Sequence, residues 1–283
     1  MGYVYMVSSA FFFCLMTIFV KIAGERLPTI QIVFIRGLIT LIFTFLLIRR
    51  KKVFLWGNNH KILILRGVFG SVALFFVYEA IQRFPLSEAT VIQYLFPIFT
   101  ALFASILLKE QVGKRIYFSI LLGVLGVYTV LNFPFISSNV SFTKLSLFIP
   151  IIGAFFTGIS YVFVRFASNM NESPYVIMFY FPLITVLLSS PFATIGWVSP
   201  SYNIWIVLLL VGFSTQLGQV FLTFGYKALP ASRAAPISYI QVPFSALAGA
   251  LIFHEKISYN FFIGSIIIFI AIFFIIGVKN QTN

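Results

Sequence analysis

Several ionisable side chains of this chain stand within or beside long apolar segments, where a charge needs a partner. They are Lys21, Arg36, Glu79 and Arg165. An ionised side chain at the centre of a bilayer costs at least about 2.5–3.5 kcal/mol on insertion scales, so such residues pair, reach water or line a cavity. Lys21 and Arg165 stand near the ends of their segments, where long side chains can extend to the polar interface. Arg36 is therefore the strongest candidate for chemistry.

Arg36 and Glu79 have two interpretations each. Arg36 could form an ion pair with Glu79 that holds two helices together, or it could be a cation that binds an anionic group in a cavity. Glu79 could carry a proton across the membrane, or it could be an ordinary carboxylate that faces the surface. We expect both residues at the functional site, and coupling to protons or to a counter-solute stays open.

Uncharged polar side chains in apolar segments are better markers of a cavity, because an amide offers donors and acceptors without the desolvation cost of a charge. Such a set could recognise a polar organic molecule by hydrogen bonds and aromatic contacts. Each member alone could instead bond two helices together, which contributes about 0.6 kcal/mol on average. The candidate substrate-binding residues are Arg36, Glu79, Gln93, Tyr94, Tyr161, Gln216, Gln219, Tyr239 and Gln241, with Tyr180 as a further candidate.

Residues for enzymatic catalysis do not group in the sequence. Asp is absent, and His60 and His254 fall in different connections. The order of the residues contains no Ser–His–carboxylate grouping, metal-ligand cluster or phosphate-binding loop. We therefore expect no enzymatic activity, no metal and no cofactor.

Membrane-spanning helices must position the candidate residues. Hydrophobic residues make up 60% of the 283-residue chain and charged residues 9%, whereas about a quarter of the residues in soluble domains are charged. A helix needs about 20 predominantly apolar residues to cross a bilayer. The predicted fold is an all-α integral membrane protein with ten transmembrane helices, at 3–23, 29–48, 62–82, 87–108, 115–133, 146–168, 174–195, 204–228, 231–253 and 258–278.

The net charge of +13 is distributed by side of the predicted membrane, which argues against a nucleic-acid surface. With the N-terminus in the cytoplasm, five cations lie outside: Lys21, Arg26, Arg83, Lys144 and Lys256. Thirteen lie on or near the cytoplasmic side: Arg49, Arg50, Lys51, Lys52, Lys61, Arg66, Lys109, Lys114, Arg115, Arg165, Lys227, Arg233 and Lys279. Because Lys and Arg near span ends determine orientation, both termini are predicted to be cytoplasmic.

The second half of the chain repeats the first. Pro85, Ser87, Ala89, Tyr94 and Glu110 match Pro230, Ser232, Ala234, Tyr239 and Glu255, and the members of each pair are 145 residues apart. The predicted repeats are residues 1–137 and 138–283, joined near the polar segment 133–144, with five spans each. An odd number of spans makes the two copies cross the bilayer in opposite senses. Inverted repeats of this kind are typical of secondary transporters, which bind substrate near the midplane.

Prolines and small residues indicate where the halves meet. Pro97 and Pro243 interrupt the fourth and ninth spans, and backbone groups freed by a proline are tolerated in a membrane only against protein or a wet cavity. We expect a central cavity formed by the third, fourth, eighth and ninth helices, with parts of the first and sixth. Gly123 and Gly126 predict close helix packing, or alternatively a seam along which bundles slide.

The repeated segments resemble a known family. Pro28 and Arg36, the segment 80–89, Pro97 and the segment 107–110 are similar to an EamA-type repeat of the drug/metabolite transporter superfamily, and residues 228–232 and 253–255 repeat it. The resemblance covers almost the whole chain. It implies a ten-helix carrier with two inverted five-helix repeats and both termini in the cytoplasm, which moves amino acids, their derivatives or other solutes by alternating access. Glu110 and Glu255 match the family motif, and we expect them to cap neighbouring segments rather than touch solute.

These observations predict a secondary transporter in a bacterial cytoplasmic membrane. Its partners would be the lipid bilayer and a small polar metabolite. Because the predicted pocket contains Arg36 and few acidic residues, it favours a solute that bears a carboxylate, such as an amino acid. A membrane-embedded enzyme and a passive membrane scaffold are the alternatives. The oligomeric state stays open.

Overall fold

The computed structural model describes residues 1–83, 92–133, 148–253 and 258–276, and within them the chain is helical and contains no strand. The predicted repeat residues Pro85, Ser87, Ala89 and Glu255 lie outside this described part, as do Lys144, Lys256 and Lys279. The helices are α1 Gly2–Gly24, α2 Thr29–Lys51, α3 His60–Arg83, α4 Phe96–Leu107, α5 Lys114–Val130, α6 Phe148–Asn169, α7 Pro174–Ala193, α8 Tyr202–Ala228, α9 Ala231–Ile237, α10 Gln241–Phe253 and α11 Tyr259–Ile276.

The helices have the length and composition of membrane spans. Eight stretches are long and apolar enough to cross a bilayer, and one of them, Ala231–Ile252, includes both α9 and α10. The helix α4 is a shorter apolar helix, and α5 has 17 residues. Proline starts two of the helices, as Pro28 caps α2 and Pro174 opens α7. Its missing N–H costs nothing there, because the first N–H groups of a helix have no partner within the helix. The chain is a multi-pass membrane protein.

Two predicted spans are broken near their middle. A 3₁₀ turn at Ser238–Ile240 separates α9 from α10, and a turn at Tyr94 and Leu95 precedes α4. Pro97 and Pro243 stand in the first turns of α4 and α10, so each proline begins the half-helix after the break. The sequence prediction of interrupted spans is correct, but the interruptions precede the prolines.

Helices from the two halves of the chain pack against each other in antiparallel pairs. Along α1 and α8, Tyr5 packs on Phe224, and the Ser9 hydroxyl donates to the Gly218 carbonyl over 2.9 Å. In the α3 and α6 pair, Arg66 contacts Ser160 while the later Val77 contacts the earlier Gly153. The core of the protein therefore lies between the halves rather than within each of them.

The pairs α2–α7 and α5–α11 are also antiparallel. Gln31 at the start of α2 bonds Val198, which follows the end of α7, while Gly37 packs on Val186. In the other pair, Ser119 of α5 donates to the Ala271 carbonyl over 2.6 Å. These pairs join the second and seventh, and the fifth and tenth, of the predicted spans.

Glycines bring α5 and α11 together backbone to backbone. A Cβ added at Gly264 would lie 2.6 Å from the Val130 nitrogen and 2.7 Å from the Gly126 oxygen. A Cβ at Gly126 would lie 3.0 Å from the Gly264 oxygen. Gly123, one turn earlier, accommodates the ring of Tyr239. The small residues predicted in the fifth span are therefore packing positions.

Replacing Gly264 with alanine is expected to destabilise the protein by about 1–3 kcal/mol, because the methyl group meets backbone atoms that have no rotamer to change. Thermal unfolding of the purified protein in detergent measures the effect. The matched control is Gly113→Ala, since a Cβ at Gly113 meets no heavy atom within 4 Å. Equal melting temperatures for the two variants would contradict the packing described for α5 and α11.

Candidate functional site

A cavity of about 550 Å³ lies between the two halves of the chain. This volume is within the range of about 300–1,000 Å³ that is usual for small-molecule sites. The predicted helices of the cavity all contribute, and α2 and α7 add Arg36 and Phe181. The residues that line the cavity include Lys21, Arg36, Arg66, Tyr78, Gln93, Tyr94, Thr157, Ser160, Tyr161, Phe181, Gln219, Ser238 and Gln241.

The cavity extends from the middle of the bundle toward one face. We call the face at which the chain begins the N-terminal face and the other the distal face. Lining residues run along α1 as far as Lys21 and reach Asn132 and Ser258, beside the end of α5 and the start of α11, at the distal face. The described connections at the N-terminal face, 52–59, 108–113, 170–173 and 229–230, contribute no lining residue.

Arg36 lies on α2, and its side chain lines the cavity. Its side chain is 3% exposed, its Nε donates to the Thr215 hydroxyl over 3.1 Å, and its guanidinium carbon lies 5.5 Å from the centre of the Phe181 ring. The bond to Thr215 does not use the two terminal nitrogens, which carry four of the five N–H donors. The arrangement supports a planar cation at the wall of the cavity.

Arg66 is a second buried cation of the cavity. It is 2% exposed, and its guanidinium carbon lies 4.4 Å from the centre of the same Phe181 ring. One terminal nitrogen donates to the Ser160 hydroxyl over 2.9 Å and the other to Gln219 Oε1 over 3.4 Å, while Nε has no partner among the described residues. The sequence analysis counted Arg66 with the cations of the cytoplasmic side, and the structure instead places it inside the bundle.

Five of the other predicted site residues line the cavity: Gln93, Tyr94, Tyr161, Gln219 and Gln241. The Gln93 amide nitrogen donates to the Thr157 hydroxyl over 3.1 Å, and Gln93 Oε1 has no partner in the described part of the chain. The tyrosines at the two helix breaks, Tyr94 and Tyr239, pack with ring centres 6.0 Å apart. The breaks therefore meet at the cavity.

Four predicted residues lie outside the lining set. Gln216 accepts a hydrogen bond from Thr44 over 3.0 Å, and Tyr239 is buried with its hydroxyl 3.4 Å from the Ile120 carbonyl. Glu79 is half-buried on α3, and Tyr180 donates to the Trp56 carbonyl over 2.9 Å. Gln216, Tyr239 and Tyr180 make contacts between segments, which is the alternative role that the sequence left open for them.

Glu110 joins the connection between α4 and α5 to the start of α9 at the N-terminal face. Its carboxylate accepts hydrogen bonds from the Ala231 and Ser232 backbone N–H groups over 2.8 and 3.0 Å, and from the Ser232 hydroxyl over 2.7 Å. A carboxylate is favoured there because the start of a helix carries a partial positive charge. We call this contact the Glu110 clamp. It agrees with the capping role expected for Glu110 and lies at the face whose described connections contribute no lining residue to the cavity.

Two further contacts stabilise the N-terminal face. Glu172 is buried and accepts hydrogen bonds from the Asn58 and Asn59 backbone N–H groups over 2.8 and 2.6 Å, at the start of α3. Arg165 donates to the Tyr226 and Lys227 carbonyls over 3.1 and 2.6 Å, at the end of α8. The charges of both side chains match the partial charges of the helix ends that they contact.

The cavity is lined by cations and by aromatic rings. The described residues that line it include three cations and no carboxylate. Arginine binds a carboxylate through two parallel hydrogen bonds, and hydroxyl and amide groups nearby can fix the rest of a polar molecule. Among the described residues, no three His, Cys, Asp or Glu side chains group as metal ligands.

Arg66 and Phe181 line the cavity but were not among the site residues predicted from the sequence. Arg66 could have been found, because it is the fifth residue of the predicted third span. It was assigned to the cytoplasmic side without regard to its depth in the membrane. Phe181 gave no signal, since it is one of 37 phenylalanines and only its contacts distinguish it.

Comparison with known proteins gives the family. The profile of the EamA-like transporter family matches residues 1–132 and 144–277. A pseudopaline exporter, CntI of Pseudomonas aeruginosa, is 31% identical over 95% of this chain and 94% of its own length. Solute carrier family 35 member G1 of Mus musculus is 30% identical over 85% of this chain and 68% of its own length.

A solved crystal structure supports the fold independently. It superposes with a TM-score of 0.82 at 16% sequence identity, over 96% of this chain and 95% of that one. The resemblance found in the sequence is confirmed by the family match across both halves of the chain. The chain belongs to the EamA-like transporter family, whose members are membrane transporters of the drug/metabolite superfamily.

Proposed function

We propose that the protein is a secondary transporter of the bacterial cytoplasmic membrane, which moves a small organic metabolite with an anionic group by alternating access. The observation that carries the proposal is the cavity of about 550 Å³ between the halves, with two buried arginines and no carboxylate among its described lining residues. Amino acids and related metabolites carry a carboxylate group and are small enough for such a cavity. The relative that is named an exporter of pseudopaline fits a metabolite substrate.

The proposal includes two inverted repeats, residues 1–137 and 138–283. Under this division, α2 and α7 are equivalent helices, and so are α5 and α11. Both pairs are antiparallel, which is the expected relation of equivalent helices in copies of opposite orientation. The two ranges that match the family profile, 1–132 and 144–277, favour the same boundary.

Alternating access would follow from the asymmetry of the cavity. The N-terminal face, which we place in the cytoplasm, has the Glu110 clamp, while the cavity extends to the distal face. In the opposite state the clamp would release and the cavity would open to the cytoplasm. Arg36 and Arg66 would then face each side in turn and bind the same solute.

Uptake by proteoliposomes tests the function. Purified protein in liposomes is incubated with a bacterial metabolite extract, with and without a proton gradient, and the contents are analysed by mass spectrometry. We expect at least one anionic metabolite to enter faster than into empty liposomes. Release of a chemically altered compound would instead favour an enzyme, and equal contents in both preparations would favour a scaffold.

Cysteine labelling tests the orientation. In a Cys14→Ala background, which removes the buried cysteine, Lys51→Cys marks the N-terminal face and Tyr202→Cys the distal face. In spheroplasts, we expect a membrane-impermeant maleimide to label the Tyr202 position at once and the Lys51 position only after permeabilisation. The reverse pattern would contradict cytoplasmic termini, and labelling of both in intact spheroplasts would contradict the separation of the two faces.

A further inference from the structure

We propose that the cavity selects solutes with two carboxylates, one bound by Arg36 and the other by Arg66. This inference rests on the transport function proposed above and names the class of solute. The second carboxylate is inferred from Arg66, because a single anionic group would compensate the charge of Arg36 alone.

The two arginines are arranged around one aromatic ring. The guanidinium carbons of Arg66 and Arg36 lie 4.4 and 5.5 Å from the centre of the Phe181 ring. Because both distances share the ring centre, the two carbons can be at most about 10 Å apart. A solute whose carboxylates are separated by a short carbon chain can reach both.

The charges of the two arginines favour a dianion over a monoanion. Both arginines are at most 3% exposed, so water compensates neither charge well. Two like charges this close repel each other in a poorly hydrated site, and one carboxylate would leave one guanidinium uncompensated. The partners of Arg66 are the neutral side chains Ser160 and Gln219, and its Nε has no partner in the described residues.

The aromatic side chains near the arginines suit the middle of such a solute. Phe181 and Tyr78 offer apolar surface for a short hydrocarbon chain, and Tyr78 lies 6.0 Å from the Arg36 guanidinium carbon. Gln93 Oε1 is buried without a partner among the described residues and can accept a hydrogen bond from an ammonium or hydroxyl group. A dicarboxylate with such a substituent, as in an acidic amino acid, matches these groups.

Matched pairs of solutes test the charge requirement. Binding of glutamate, aspartate and succinate to the purified protein is measured by thermal shift and by calorimetry, beside glutamine, asparagine and succinamate, which replace one carboxylate with an amide of the same shape. The buffer contains no phosphate, sulfate or citrate, because these anions would compete. We expect each dicarboxylate to bind at least about tenfold more tightly than its amide partner.

Variants assign the second carboxylate to Arg66. In Arg66→Gln the preference for glutamate over glutamine should fall to less than about threefold, and Arg66→Lys should retain part of it because the charge remains. The exposed Arg115→Gln is the matched control and should keep the wild-type preference. The Lys variant also guards against misfolding as the cause, since it preserves the buried cation.

The outcomes separate this inference from the transport function. If the amides bind as tightly as their partners, if no member of the panel binds, or if Arg66→Gln keeps the preference, the dicarboxylate inference is wrong. In each case, uptake from the metabolite extract still decides the transport function independently. Dicarboxylate preference that disappears in Arg66→Gln and persists in Arg115→Gln supports the inference.

Discussion

Replacing Arg36 with glutamine is expected to weaken solute binding by at least about 30-fold and to reduce uptake in the same proportion. Removal of one partner of a buried, hydrogen-bonded charge pair costs about 2–5 kcal/mol, and about 1.4 kcal/mol corresponds to a factor of ten. Arg36 is 3% exposed and lines the cavity, so water replaces the lost cation poorly. The dissociation constant of a transported solute, measured by calorimetry, gives the effect directly.

Two comparisons separate binding from folding in this experiment. Arg49→Gln removes an exposed arginine near the end of the same helix and should leave affinity unchanged. Arg36→Lys keeps the charge but not the planar pair of donors, so its affinity should fall between those of the wild type and Arg36→Gln. Wild-type affinity in Arg36→Gln would exclude Arg36 from the binding site, provided that thermal unfolding shows a folded variant.

Replacing Glu110 with glutamine is expected to open the N-terminal face. The Glu110 carboxylate accepts three hydrogen bonds with two oxygens, whereas the amide of glutamine offers one acceptor oxygen and no charge. A hydrogen bond to a charged group contributes about 1.5–3 kcal/mol, so loss of even one should raise the population with an open N-terminal face by about tenfold or more. Uptake should fall because the state with a closed N-terminal face becomes rare.

Labelling from the N-terminal face measures this shift. Ser238 lines the cavity at the helix break, and Ser238→Cys in the Cys14→Ala background places a reporter behind the Glu110 clamp. In inside-out vesicles, an impermeant maleimide should label this position at least about tenfold faster when Glu110→Gln is present. Glu25→Gln, an exposed carboxylate at the distal face, is the matched control. Equal rates in all three proteins would show that the Glu110 clamp does not close that face.

Much of the architecture could be predicted from the sequence. Runs of about 20 apolar residues have few structures available in lipid other than helices, so a helical multi-pass protein follows from local composition, and eight stretches of the described residues qualify as spans. The family was identified from the motif formed by Pro28, Arg36, the segment 80–89, Pro97 and the segment 107–110, and the repeat from residues such as Pro85, Tyr94 and Glu110 that recur 145 residues later. Most of the described helix ends lie within a few residues of the predicted ones, but α4 begins at Phe96 because the chain turns at Tyr94 and Leu95.

The candidate site was only partly predictable. Arg36, Gln93, Tyr94, Tyr161, Gln219 and Gln241 were selected because polar side chains are costly in lipid, and the structure places all six at one cavity. The same reasoning selected Gln216 and Tyr239, which bond helices together beside it. Sequence gives the cost of burying a polar group, but it does not give the direction in which the side chain points.

The sequence by itself determined a helical membrane protein of the EamA-like family with a duplicated segment, because hydrophobicity and spacing are properties of the chain alone. Tertiary structure decided that Arg66 is a cavity residue, that Arg66 and Arg36 both lie near the ring of Phe181, and that Glu110 caps the start of α9 at the N-terminal face. These contacts connect residues far apart in the chain. Their geometry depends on how the helices pack, and in lipid that packing is determined by van der Waals fit and hydrogen bonds rather than by hydrophobicity.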